Sequence, residues 1–137
     1  MSLPAVERTL IVVKPDSVSK GHIGEILSRF ERRGMKVIDL KMLTMGKARA
    51  EEFYSVHREK PFFGELVSFI SSGPVVGVIL EGRDAVPLVR RMVGATKSWE
   101  SAPGTIRGDL ATGLLDNAIH ASDSHESFVL ESKAFFS

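Results

Sequence analysis

The sequence predicts an α+β sandwich: a four-stranded antiparallel sheet with helices packed on it, in the βαββαβ, ferredoxin-like order with insertions. Two observations predict it. Runs of β-branched, almost wholly apolar residues alternate with segments whose apolar residues recur at helical spacing. Glycines and prolines punctuate the boundaries between them, so the elements are short and the chain turns often.

Taken in order, Thr9-Leu10-Ile11-Val12-Val13 reads as a strand buried on both faces, hence central in the sheet. Lys14-Pro15-Asp16 ends it, because proline cannot continue the ladder. Ile23, Ile26, Leu27 and Phe30 share one helical face, and Gly34 is a natural stop. Residues 35–45 read as the second strand, with Gly46 as punctuation. Residues 48–56 read as a helix. Pro61 restarts the chain, and Leu66, Val67 and Ile70 suggest a short helix before Gly73. Residues 74–80 are a third strand, again buried on both faces. Val86, Val89 and Val93 mark a helix that ends at Gly94. Residues 96–115 hold no sustained period but contain Pro103, Gly104, Gly108 and Gly113. A loop that long inside a compact domain is usually functional. Residues 117–122 carry a fourth short strand, and Ser124 caps a last helix over about residues 126–134.

The chain of 137 residues fits one domain, residues 1–137, able to bury roughly two-thirds of its unfolded surface. Its 43% hydrophobic and 26% charged residues are those of a soluble globular protein. A net charge of +1 announces neither a nucleic-acid nor a membrane partner, though it leaves room for a local basic cleft. With no cysteine there is no disulfide framework and no thiolate metal site. The first eight residues lack the charged and apolar regions of a secretory signal, and no apolar run is long enough to span a bilayer. A cytoplasmic protein is the expectation.

The most informative stretch is Asn117-Ala118-Ile119-His120-Ala121-Ser122-Asp123, which gathers an imidazole, a carboxamide, a hydroxyl and a carboxylate. Neutral imidazole is nucleophilic and can carry a covalent intermediate. Glu131, on the last helix, could fold back and fix the tautomer of His120, or lie solvated. Lys14, at a strand end, fits a phosphate contact or a solvated terminus. Arg90, Arg91 and Arg107 offer the planar fork that suits phosphate, and Thr96 adds a neutral donor. Taken singly, each arginine also reads as a surface residue; Arg107 stands out because it sits beside Gly108. Phe62 and Phe63 are adjacent and cannot share one helical face, so one can be core and the other an open stacking surface. His22, His57 and His125 read as surface residues. His120 and His125 with Asp116 and Asp123 show no chelating pattern, so no protein-held metal site is expected.

The motifs, in order, resemble those of the nucleoside diphosphate kinases from about Glu7 to Phe136. They are Glu7-Arg8-Thr9-Leu10 leading to Lys14-Pro15-Asp16, Phe53-Tyr54 with Pro61-Phe62-Phe63, and Ser72-Gly73-Pro74-Val75. Gly94-Ala95-Thr96, Pro103-Gly104-Thr105-Ile106-Arg107-Gly108-Asp109 and Asn117-Ala118-Ile119-His120-Ala121-Ser122-Asp123-Ser124 complete the set. The resemblance implies ping-pong transfer of the terminal phosphate from a nucleoside triphosphate to a diphosphate through a phosphohistidine on His120. Mg2+ would enter on the phosphates. Glu131 would hold the ring and Ser122 would support Glu131. Lys14 and Asn117 would contact the sugar, with Lys14 also reaching the transferring phosphate and Tyr54 beside the nucleophile. Arg90, Thr96 and Arg107 would bind phosphates, with His57 near them. Phe62 would stack on the base and Leu66 would lie opposite, giving low base specificity. Tetramers or hexamers built from a common dimer are implied, with ATP, GDP and related nucleotides as partners.

Three departures bear on detail. Lys60 replaces a common arginine, so a bidentate contact becomes a point charge. Ala121 replaces a common glycine and disfavours a positive φ. Lys97-Ser98 lacks a nearby proline that would stiffen the loop. Two rivals share the features. A binding module would use the cleft without turnover, and a histidine phosphocarrier would pass phosphate between proteins without needing Phe62.

Overall fold

The computed structural model describes residues 5–137. Residues 1–4, part of the stretch read as lacking a secretory signal, lie outside the described residues. The strands are β1 (Val6–Val13), β2 (Lys36–Leu43), β3 (Val75–Arg83) and β4 (Ile119–Ala121). The helices are α1 (Pro15–Ser19), α2 (Ile23–Arg32), α3 (Lys47–Phe53), α4 (Phe63–Ile70), α5 (Ala85–Val93), α6 (Ile106–Leu110) and α7 (His125–Phe136). The strands form one antiparallel sheet in the order β2-β3-β1-β4, as the ferredoxin-like reading requires.

β1 is flanked on both edges and covered on both faces. Ile11 and Val13 pack with Ile26 and Phe30 of α2 and Val89 and Val93 of α5. Their neighbours Leu10 and Val12 point the other way, to Phe53 of α3, Val67 and Ile70 of α4, and Phe135 of α7. Period-two alternation with apolar residues on both faces is the physical reason the run holds no polar position after Thr9.

The differences from the sequence reading have local causes. β1 starts at Val6, before the apolar run, because the ladder to β3 continues there and Arg8 Nε donates to Glu81 at 2.9 Å. Pro15, which stops the strand, also opens α1, where its missing N–H costs nothing. The helix read over residues 48–56 ends at Phe53, and Ser55–His57 tightens into a 3-10 turn. The long loop is not structureless. It holds a 3-10 turn, Ser98–Glu100, and α6, capped by the Thr105 side chain accepting from Gly108 N. Ser98 is buried and its hydroxyl donates to the Gly113 carbonyl at 2.9 Å, so the loop is tied at the position where stiffening proline is missing. Ser124 caps α7 by accepting from Ser127 N at 3.0 Å.

One glycine sets the depth of the sheet–helix packing. The Phe135 ring of α7 lies so close to Gly77 of β3 that no Cβ could fit between them. Close seating of α7 on the sheet lays that helix against β1, within reach of a side chain on neighbouring β4.

Candidate active site

The C-terminal end of β1 with β4 beside it, the segment from α3 to α4, and the long loop enclose a cleft of about 370 Å³. His120 lies on its floor, at the centre of β4 and opposite Val12 of β1. Residues two apart on a strand share a face, so His120 and Ser122 both point toward α7. There they meet one carboxylate oxygen: Nε2 of His120 lies 2.7 Å from Glu131 Oε1, and the Ser122 hydroxyl donates to the same atom at 2.7 Å. Ser122 is fully buried beneath the cleft and Glu131 nearly so. An oxygen already accepting the Ser122 hydroxyl is read as accepting from Nε2 too, which places the imidazole proton on Nε2 and a lone pair on Nδ1.

Two rings fix the plane of the imidazole. Phe53 stands edge-on to His120 at 5.0 Å between centroids, and Tyr54 at 6.0 Å with the planes 86° apart. Burial, and then the Glu131 carboxylate, push the Tyr54 hydroxyl well above its usual pKa, so it stays a neutral donor.

The cationic wall comes from three elements. Lys14 follows β1 directly, as the sequence indicates, but it is no solvated terminus. It is buried, with Nζ donating to Asn117 Oδ1 at 2.9 Å. Burial, and then repulsion from Arg107, lower its pKa to about 8. Arg107 on α6 is also buried and donates to backbone carbonyls of Ile119 at 2.8 Å and Asn117 at 3.3 Å. Burial, then Arg90, lower its pKa to about 10. Arg90 on α5 donates to the Ala121 carbonyl at 3.2 Å, while Arg91 on the same helix faces solvent away from the cleft. Thr96 is exposed at the rim. Two buried cations with little but carbonyls and a carboxamide as partners are held ready for an anion.

The apolar wall is the 3-10 turn and the start of α4. Phe62 is 42% exposed, whereas Phe63 is half-buried against the core, which settles how the adjacent pair divides. The His57 ring is tilted toward Phe62 at 6.1 Å, and the Lys60 ammonium lies 5.6 Å from the Phe62 centroid. Leu66 lines the slot one helical turn beyond. Burial, and then Lys60 and His120, lower the His57 pKa. Ala121 sits within β4 without a positive φ, so the expected conflict there does not arise; the left-handed residue is Ala118, at φ 76°.

The cleft also holds residues the sequence reading did not single out as site residues: Val56, Asp123 and Ser127, with Phe53 packed behind the imidazole. Ser127 donates to Asp123 at 2.6 Å and holds that carboxyl below its usual range. Their four-residue spacing across the Ser124 cap was the available signal. His22 and His125 lie elsewhere. Among the described residues no group of three His, Asp or Glu could hold a metal by itself. No helix of the described residues is long and apolar enough to cross a membrane.

Residues 7–137 match the family model described as Nucleoside diphosphate kinase. The chain belongs to that family. The Staphylothermus marinus nucleoside diphosphate kinase is 55% identical over 130 residues, 95% of this chain and 92% of that protein. That of Hyperthermus butylicus is 54% identical over 132 residues, 96% of this chain and 93% of that protein. Among solved structures, the Aquifex aeolicus nucleoside diphosphate kinase superposes with a TM-score of 0.94 at 53% identity, covering 97% of this chain and 96% of that one. The Halobacterium salinarum nucleoside diphosphate kinase, solved in complex with CDP, gives 0.92 at 45% identity, covering 96% and 88%. As a nucleoside diphosphate kinase the chain is a nucleotide-binding phosphotransferase. Its family transfers phosphate between nucleotides through a phosphohistidine.

Proposed function

We propose that His120 is the histidine that carries the phosphate and that the cleft around it takes nucleoside tri- and diphosphates in turn. The observation that carries this reading is the buried Ser122–Glu131–His120 chain, two contacts of 2.7 Å on one carboxylate oxygen, facing a wall of cations. The Nδ1 lone pair attacks the γ-phosphorus, the bond from phosphorus to the β–γ bridging oxygen breaks, and the nucleoside diphosphate leaves with that electron pair. In the second half-reaction a terminal oxygen of the incoming diphosphate attacks the phosphohistidine and Nδ1 recovers its pair. No general base is needed, because Nδ1 bears no proton.

The protein's contribution is position and charge. Glu131 holds the ring and Ser122 holds Glu131. Arg90, Arg107 and Thr96 clamp the phosphates, with His57 at their edge. Lys14 and Asn117, already paired with each other, meet the sugar hydroxyls, and Lys14 reaches the transferring group. Tyr54 keeps the imidazole upright and donates toward the phosphate. Phe62, opposite Leu66, stacks on the base; a π-face reads no base edge, so base specificity is low. A magnesium ion that arrives on the phosphates fits a cleft with one rim carboxylate, Asp123, and, among the described residues, no cage of protein ligands, since Mg2+ keeps several waters and phosphate oxygens. Bound there it would neutralise charge on the phosphate oxygens. The chain works as one domain, in the cytoplasm, and as a homo-oligomer of tetrameric or hexameric size.

Labelled ATP, followed by unlabelled GDP, tests the reading. The expected outcome is an acid-labile phosphoprotein and then labelled GTP, both lost in His120→Gln while nucleotide binding stays within a few-fold. Label trapped on His57, or turnover surviving in that variant, would overturn it.

A further inference from the structure

We infer that Asp16, through one hydrogen bond to a strained turn, is a positioning residue for phosphoryl transfer. The inference rests on the reading of His120 as the phosphate carrier. Ala118 is fully buried at φ 76°, and Ile119 N donates back to the Asn117 carbonyl at 2.9 Å. A bond from residue i+2 to residue i around a positive φ is the rare, strained hand of the γ-turn. Among the described residues the only other non-glycine at positive φ is Asp84, of a residue type that tolerates it. Alanine has no such tolerance, so the surroundings must impose the conformation.

Two groups do so. The Ala118 carbonyl accepts from Lys14 N at 3.0 Å, and the Ala118 N–H donates to Asp16 Oδ2 at 3.0 Å. Among the described residues the second is the only side-chain bond to the turn's central residue. Oδ1 of the same carboxylate is buried without a partner. A half-buried carboxylate with one oxygen left without a partner is costly to keep.

What the turn sets is the site. On its upstream side Asn117 presents Oδ1 to Lys14 and its carbonyl to Arg107. On its downstream side Ile119 enters β4 in register with Val13, and His120 follows at once. If Ala118 relaxed to a negative φ, Asn117 and His120 would rotate relative to each other, and the lysine, the arginine and the nucleophile would lose their common geometry. Asp16 does not touch the reacting atoms; it acts through Ala118.

The test reads single-turnover phosphorylation of the protein by ATP, on folded samples matched by circular dichroism. Asp16→Ala should slow phosphorylation by roughly tenfold or more, since misplacement on the order of 1 Å can cost a hundredfold. Glycine adopts positive φ freely, so adding Ala118→Gly should return the rate to within about threefold of Ala118→Gly alone. Asp16→Asn keeps an acceptor for the Ala118 N–H and should stay near the parent. A folded Asp16→Ala at the parental rate, a double variant without recovery, or Asp16→Asn as slow as Asp16→Ala would each overturn the inference. A role in stability alone would lower the unfolding midpoint and leave no glycine-specific rescue of rate. The parent protein keeps the two readings apart: if it takes no phosphate on His120, the assignment of the carrier fails, whatever Asp16 does.

Discussion

Lys14 shows how one buried side chain ties activity and stability to pH with opposite signs. Its pKa is lowered to about 8 from an ordinary 10.5, first by burial and then by Arg107. The ammonium is therefore half lost in the free protein near pH 8. A bound triphosphate would return the proton by attraction, so the loss should show in kcat/KM, which reports the free protein, before it shows in kcat. We expect kcat/KM to fall above about pH 8 while kcat holds to higher pH. Stability runs the other way. Between pH 8 and 10.5 the unfolded chain keeps the lysine proton and the folded chain has released it, so this group's contribution rises with pH there; its burial cost is fully present only below about pH 8. Parallel pH profiles of the two kinetic constants, with thermal unfolding at each pH, check the point. A kcat/KM flat to about pH 9.5 would remove Lys14 from the charge wall. The residue type and place of Lys14 were legible in the chain. Its burial was not, because that comes from the loop folding over it, and no local pattern records a loop's closure.

At the level of elements, α7 acts as a ruler between the core and His120, the proposed nucleophile. Glu131 and Phe135 are four residues apart and share a helical face. Phe135 rests on Gly77 of β3 and Glu131 reaches His120 on β4. Gly77→Ala should therefore cost about 1–3 kcal/mol by overpacking. It should also slow phosphorylation, because the helix can yield only by carrying Glu131 away. Trimming the ring with Phe135→Leu in the same chain should recover part of both losses. Urea unfolding and single-turnover phosphorylation measure them, and a rate unchanged in Gly77→Ala would detach α7's depth from the chemistry. The strands and the longer helices were legible because their apolar periods are strong; α1, α6 and the 3-10 turns were not. Five residues or fewer give a period no room to repeat, and these short elements are set by caps and tertiary contacts such as Thr105 on Gly108 N. The Asp16–Ala118 bond joins residues 102 positions apart, which no local reading could supply.

For the whole molecule, the sheet's two edges lead to the assembly. β2 lies at one edge with Leu40 and Met42 about half exposed, and its outward backbone groups are unpaired within the sheet. Such an edge invites a partner strand. The long loop runs into β4 at the opposite edge and exposes Trp99 at 66% and Leu114 at 53%. Two apolar surfaces at opposite edges are not covered together by one two-fold axis, so we expect the first to make a dimer and the second to join dimers into a closed, larger assembly. The loop also carries Thr96 and Arg107, so the second contact would steady the phosphate site. We expect light scattering to give a species larger than a dimer. Trp99→Ala with Leu114→Ser should reduce it to a dimer, raise KM for nucleotides several-fold and lower the unfolding midpoint, with His120 phosphorylation still measurable. A parent protein that is monomeric and fully active at working concentration would refute the assembly. A double variant that stays large would place the second contact somewhere other than the loop.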